Sequence, residues 1–229
     1  MTALARTDPD AELVEGLRRR DPAAVRRLTT LYNQRLYRAA WSILRNRAEA
    51  EEALQEAYLK AMEGIGRFEA KSALSTWLTR IVINEALGRR RAAQRRMARL
   101  LGSPIILMEE YRDRLMGGAA AHRSPEAALA RKEVARLLEA AVGRLPEPFR
   151  LVFVLRAVEG LSVEETAEAL GVRPETVKTR YLRARRRLQQ ELDPELAAVF
   201  GETLAFAGLD CAAMTERVIA ALGLDRAPA

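Results

Sequence analysis

Apolar residues recur at spacings of three and four through most of the chain, the period of one face of an α-helix. A first helix begins near Asp8-Pro9 and breaks at Asp21-Pro22; Leu28, Tyr32, Leu36, Ala39 and Ile43 then mark the buried face of a second, which Asn46 closes. Leu54, Tyr58, Ala61, Met62 and Ile65 mark a third over 48–65. After a loop from Gly64 to Ser72, Leu74, Trp77, Leu78, Ile81 and Val82 set up a fourth that ends in a basic run. In the second half Val134, Leu137, Leu138, Ala141 and Leu145 define a helix, Pro146 and Pro148 break it, and Phe149 to Val158 is apolar nearly all round, as a buried core helix should be. The pattern predicts an all-α fold.

Periodicity fails from Leu101 to Ser124, where Gly102-Ser103-Pro104, Gly117-Gly118 and Ser124-Pro125 punctuate the chain. The expected organisation is therefore a helical domain over 8–100, a flexible linker over 101–125, a second helical domain over 126–192 and a short helical extension over 193–229. From Glu191 onward seven acidic residues stand against two arginines, so the extension is acidic. Phe200, Leu204, Phe206, Val218, Ile219 and Leu222 give it enough apolar surface to dock. Its charge suits a cover for basic surfaces, and its apolar residues suit simple docking equally.

The sharpest local signals lie between Ser162 and Arg187. Ser162 followed by Glu165 is a capping box that starts a helix, Gly171 tolerates the left-handed conformation that ends it, and Pro174 suits the first position of the next. Two short helices with a tight turn make a helix-turn-helix. On the second helix Val177, Tyr181, Ala184 and Leu188 form the inward stripe; Glu175, Thr179, Leu182, Arg183 and Arg186 face outward, flanked by Thr176 and Lys178. From Arg173 to Arg187 seven residues are basic and one is acidic. That density suits phosphate, and the DNA major groove admits a helix. The plainer alternative is a solvated charged helix, but cap, turn and polarity coincide here.

Charge extends this picture to the whole chain. Lys and Arg number 38 against 31 Asp and Glu, which favours a polyanionic partner. Between Arg89 and Arg99 six arginines occur with no acid, a run that belongs beside phosphate or in water. The start of the third helix is acidic instead: Glu49, Glu51, Glu52 and Glu56, with Gln55 among them, precede Lys60. These acids suit the positive end of a helix dipole, and equally a docking face. No apolar run is long enough to span a bilayer, and the first ten residues lack the basic-then-apolar order of a signal peptide, so a cytoplasmic protein is expected. The single Cys211 and single His122 leave no disulfide, metal cluster or Cys/His dyad in prospect, and no cofactor is expected. Cys211 is read as a buried small apolar residue.

With these segments in place the chain resembles an extracytoplasmic-function sigma factor, a small two-domain bacterial transcription initiation factor of the sigma-70 family. The resemblance covers about Ala11 to Leu192. In the first half it rests on Leu31-Tyr-Asn33, Ala50-Glu-Glu-Ala-Leu-Gln-Glu-Ala-Tyr58, Phe68 and Thr76-Trp-Leu-Thr-Arg-Ile-Val-Ile-Asn84. In the second it rests on Leu145-Pro-Glu-Pro-Phe-Arg150, Glu159-Gly-Leu-Ser-Val-Glu-Glu-Thr-Ala167 and Thr176-Val-Lys-Thr-Arg-Tyr-Leu-Arg-Ala-Arg185. The resemblance implies core RNA polymerase and promoter DNA as partners, with an anti-sigma factor as a further candidate. It places Glu52, Gln55 and Glu56 on the polymerase, and Phe68, Ile81 and Asn84 around a flipped base of the downstream element. An amide reads a base edge with both donor and acceptor, while apolar neighbours replace lost stacking. It places Lys178, Thr179, Leu182 and Arg183 on the upstream element, with Arg186 on the same outward face. Arg183 is the best candidate for a bidentate contact to guanine, and Leu182 for a thymine methyl. Arg180, Arg185 and Arg187 suit backbone phosphates or packing.

Two departures stand out: Arg173 occupies the position before Pro174 where many relatives have a capping serine, and the tail from Asp193 lies outside the minimal pattern. The plainer reading of Asn84 is an exposed helix residue, and Trp77 is read as core. The nearest alternative function is a stand-alone helix-turn-helix transcriptional regulator; a sigma mimic that sequesters a regulator is another. An enzyme is the least favoured class. No paired catalytic acids stand out, and no glycine-rich phosphate loop precedes a Lys-Ser or Lys-Thr.

Overall fold

A computed structural model describes residues 9–101, 137–191 and 211–224, and these are helices joined by turns. In chain order they are α1 (Pro9–Arg18), α2 (Pro22–Leu44), α3 (Arg47–Gly64) with a 3-10 turn over Ile65–Arg67, α4 (Leu74–Leu101), α5 (described over 137–144), α6 (Glu147–Phe153), α7 (Val163–Leu170), α8 (Pro174–Glu191) and α9 (Cys211–Ala221). Among them no helix is long and apolar enough to cross a membrane. The linker predicted over 101–125 lies outside the described residues, apart from Leu101 at the end of α4, as do Val134, His122 and most of the extension.

Local chemistry accounts for the helix ends. Asp21 caps α2 by accepting from the Ala23 amide at 2.9 Å, directly before the proline that opens the helix. Asn46 was expected to close α2; it opens α3 instead, accepting from the Glu49 amide at 3.1 Å. Arg45, at φ 56°, is the residue that ends α2. The same side-chain oxygen that stops one helix by competing for the backbone serves as cap for the next. Pro146 breaks α5 as expected, while Pro148 falls in the first turn of α6, where its missing N–H costs nothing. Beyond Phe153 the helix widens into a π turn over Val154–Val158, with the Glu159 amide donating to the Val154 carbonyl at 3.0 Å.

Most positions of the predicted inward stripes are buried, and Tyr32, Trp77 and Ile81 pack against them half-buried. Leu28, Leu36, Ala39 and Ile43 of α2, Leu54, Tyr58, Ala61 and Met62 of α3, and Leu74, Leu78 and Val82 of α4 are buried together. Asn33, buried on α2, accepts from the Tyr58 hydroxyl at 2.8 Å, so this buried polar pair is satisfied. Leu137, expected to face inward, is 40% exposed, and Leu138, Ala141 and Val142 carry that side of α5.

The two helical units, α1 to α4 and α5 to α8, share one apolar core. Leu138, Val142, Leu145, Leu151, Phe153 and Leu155 belong to the same cluster as the α2, α3 and α4 residues. A separate small cluster of Val152, Ala167 and Val177 holds the helix-turn-helix together. α4 packs on α7, and α2 packs on α6. Arg150, 2% exposed, donates from Nε to the Ser42 carbonyl of α2 at 2.6 Å and from Nη1 to the carbonyls of Gly143 and Leu145 at 3.0 and 2.8 Å. Glu159, its side chain 5% exposed, meets Arg38 at 3.1 Å and Arg35 at 3.5 Å. Arg45 completes the join: its guanidinium lies over the Trp41 ring at 5.0 Å, in space left open by Gly143, where a Cβ would stand 2.3 Å from Nη1.

The described end of the extension docks as α9, the simple docking that its apolar residues suit. It packs on α2 and α3, with Met214, Val218 and Ile219 fully buried and Leu222 partly so. With Glu216 and Arg217 cancelling, α9 carries no net charge, and burial of its apolar face is what places it.

Candidate nucleic-acid interface

The helix-turn-helix is built as its local signals require. The Ser162 hydroxyl accepts from the Glu165 amide at 3.0 Å, and the Glu165 carboxylate accepts from the Ser162 amide at 2.7 Å. Gly171 ends α7 at φ 62°, and its amide returns to the α7 carbonyls. Val177, Ala184 and Leu188 of α8 are buried and Tyr181 half-buried, stacked on Phe153 with centroids 6.1 Å apart. Lys178, Thr179, Leu182, Arg183 and Arg186 are all exposed on the opposite side. Leu182 is 49% exposed, an apolar side chain left in water amid cations. Thr179 donates its hydroxyl to the Glu175 carbonyl at 2.8 Å, which leaves the oxygen to accept from an incoming group. Arg187 lies over Phe149 at 5.3 Å, so of the two roles open to it, packing is the one present.

The three residues assigned to a flipped base are brought near one surface only in part. Asn84 is exposed and Ile81 half-buried, one turn apart on α4. Phe68 is 7% exposed, and its ring packs on Trp77 with centroids 5.1 Å apart. Its backbone is pinned as well: Arg18 donates to the Phe68 carbonyl at 2.9 Å. A cleft of about 570 Å³ opens between α1 and the 68–74 loop, lined by Asp10, Val14, Arg18, Phe68, Lys71 and Leu74. Ile81 and Asn84 do not line it. The aromatic pair therefore supports the start of α4 from below, and of the three residues Asn84 is the exposed polar one.

The acidic start of α3 is held by ion pairs that cross to α4. Glu52 meets Arg89 at 2.8 Å, Arg89 meets Glu85 at 3.1 Å, Glu85 meets Lys60 at 2.5 Å, and Lys60 reaches Glu56 at 4.0 Å. Burial works to raise the Glu85 carboxyl, but hydrogen bonds from Lys60 and Arg89 prevail and hold it below its usual value. The Lys60 ammonium is raised in turn, chiefly by its bond to Glu85. Two of the three residues assigned to the polymerase, Glu52 and Glu56, are thus ends of one chain of charges, with half-exposed Gln55 between them. The arginine run after α4's midpoint is correspondingly not all free for phosphate: Arg89 serves this chain, and Arg90 pairs with Glu147 of α6. Arg91, Arg95, Arg96 and Arg99 are exposed.

Sequence reasoning missed Arg150, Glu159 and the Arg35–Arg38 pair. Arg150 sits within the quoted Leu145–Arg150 motif and Glu159 opens the next, so the signal was present as motif membership without a partner to explain it.

Residues 28–96 match the family model of sigma-70 region 2, and residues 135–188 that of sigma-70 region 4. The RNA polymerase sigma-H factor of Pseudomonas aeruginosa is 32% identical over 82% of this chain and 96% of its own length. The ECF RNA polymerase sigma factor SigM of Mycobacterium tuberculosis is 34% identical over 80% of this chain and 84% of its own. Among solved structures, the sigma factor RpoE in complex with the anti-sigma factor NepR from Bartonella quintana superposes with a TM-score of 0.54 at 24% identity, covering 72% of this chain and 94% of that one. CnrH in complex with the cytosolic domain of CnrY gives the same TM-score and identity over 80% and 96%. These two likenesses carry the fold.

Proposed function

The chain belongs to the extracytoplasmic-function sigma factors of the sigma-70 family, and on that footing we propose how its residues divide the work of finding and opening a promoter. It is a transcription initiation factor that binds core RNA polymerase and directs it to promoter DNA, not a stand-alone regulator, which has no use for the region 2 match. As a class, sigma factors are non-enzymatic.

In this reading residues 8–100 dock on the polymerase and open the downstream element, 101–125 link, 126–192 read the upstream element, and 193–229 form an extension. The observation that carries it is the outward face of α8, where Lys178, Thr179, Leu182, Arg183 and Arg186 stand exposed in a helix-turn-helix whose first helix is capped at both ends. Arg183 reads guanine, Lys178 and Arg186 hold phosphate, and Leu182 meets an apolar base edge. Asn84 takes the edge of an unstacked base, with Ile81 beside it and Phe68 fixing the loop beneath. Glu52, Gln55 and Glu56 face a basic surface of the polymerase. Regulation by a protein of the anti-sigma kind fits, since the solved neighbour RpoE is a sigma factor in complex with the anti-sigma factor NepR.

Reconstitution with core polymerase on a promoter library tests the assignment. Arg183→Ala is expected to relax one upstream base position, at about 1–3 kcal/mol of lost discrimination. Asn84→Ala is expected to lower strand opening more than upstream binding. Equal loss at every upstream position with Arg183→Ala would refute its role as a base reader.

A further inference from the structure

The α2–α3 face beneath α9 adjoins the residues assigned to the polymerase. Arg217 of α9 reaches Glu51 at 3.2 Å, and Glu51 is one residue from Glu52 and one turn from Gln55. On the other flank Glu216 pairs with Arg26 of α2. Between these pairs the Thr215 and Thr29 hydroxyls share a buried hydrogen bond of 2.7 Å, and Met214, Val218 and Ile219 fill the groove.

A protein interface cannot be confined to three side chains. Stable ones bury about 800 Å² per partner and engage about 20–30 residues a side. An element approaching Glu52, Gln55 and Glu56 is itself about 10 Å wide if helical. α9 lies within that footprint, and it already supplies what an acidic face seeks, an arginine on Glu51. Its hold is also of a releasable kind. An 11-residue helix is marginal alone in water, so α9 is ordered because it is docked. Its ion pairs are open to screening by salt, the first more than the second: Arg26 and Glu216 retain 51% and 61% of their side-chain exposure, Arg217 and Glu51 42% and 18%.

We propose that α9 is an intramolecular occupant of the polymerase-docking surface, and that polymerase binding displaces it. The inference rests on the assignment of Glu52, Gln55 and Glu56 made above. Docked, α9 withholds the factor; released, it frees the α2–α3 groove for the polymerase's own helical element.

Two variants test this by equilibrium binding to purified core RNA polymerase. Val218→Asp places a charge in the buried groove and is expected to bind about tenfold more tightly than the parent chain. Thr29→Cys with Thr215→Cys, in a Cys211→Ser background, tethers α9 where it already lies, since the two hydroxyl oxygens are 2.7 Å apart. Its oxidised form is expected to bind about tenfold more weakly than its reduced form. This pair decides alone should Val218→Asp fail to fold, because the oxidised form keeps the docked arrangement. Equal affinity of oxidised and reduced forms overturns the inference and leaves the polymerase assignment standing. Absence of binding by the parent chain and both variants overturns the assignment itself, and the inference with it.

Discussion

Replacing Arg150 by methionine removes the guanidinium while keeping a long apolar stem. Three hydrogen bonds from a charged donor are lost, to the carbonyls of Ser42, Gly143 and Leu145. Each buried acceptor left without this donor costs about 1–3 kcal/mol. Against that, the variant no longer buries a cation, whose desolvation costs several kcal/mol in the parent. The low end of the first sum, about 3 kcal/mol net, is the expected destabilisation, roughly a hundredfold in the folding equilibrium. Domains of ordinary stability have only about 5–15 kcal/mol in total. The loss falls on the join between the helical units, because Ser42 belongs to α2 while Gly143 lies at the end of α5 and Leu145 just beyond it. Urea unfolding followed by circular dichroism reads the first effect, and a larger radius of gyration in small-angle scattering reads the second. Arg150→Lys is expected to recover little, since one ammonium cannot reproduce the guanidinium fork. A methionine variant within 0.5 kcal/mol of the parent would refute the reasoning.

Other expectations follow from single features. Ser162→Ala removes the cap of α7 and should cost about 1 kcal/mol in urea unfolding. Gly171→Ala meets no atom within 4 Å, so its cost, about 1–2 kcal/mol, is that of placing a Cβ at φ 62°. Burial pushes the Tyr37 hydroxyl up to about 12, so its contribution is intact below pH 10 and lost as pH rises towards 12; Tyr37→Phe should flatten alkaline unfolding in that window. The Glu85 carboxyl is held low by its partners, so its contribution is present at neutral pH and lost as pH falls below about 4. Glu85→Gln should reduce the acid sensitivity of helix content.

The helix-turn-helix was legible because its signals are local: the Ser162–Glu165 box, Gly171 and Pro174 act within a few residues, and the stripe of α8 follows from its period. The layer formed by α2, α3 and α4 was legible for the same reason. What escaped is what only distance in the chain creates. Arg89 lies 37 residues from Glu52, so acids that seemed unopposed along α3 are paired in space. Arg150 looked like an ordinary charge because its acceptors are backbone carbonyls, which carry no sequence signature. The landing place of α9 was left open between two readings, because the net charge of the extension and its apolar side chains point to different surfaces and only the packing of Met214, Val218 and Ile219 decides between them. Phe68 illustrates a different limit: an aromatic beside a loop reads equally as a stacking platform or as packing, and its contact with Trp77 is packing.

One feature of α4 reaches beyond stability. At 28 residues and 1.5 Å per residue it is a rod of about 42 Å. Asn84 and Arg95 stand eleven residues apart on it, an axial separation of about 16 Å, near the length of five stacked nucleotides along one strand. On the proposed assignment of Asn84 to an unstacked base, the helix would act as a ruler, setting how far from that base the next phosphates are gripped. Inserting a single alanine between Gly88 and Arg95 would turn the far arginines by about 100° about the axis while adding only about 1.5 Å of length, so the ruler would lose its alignment.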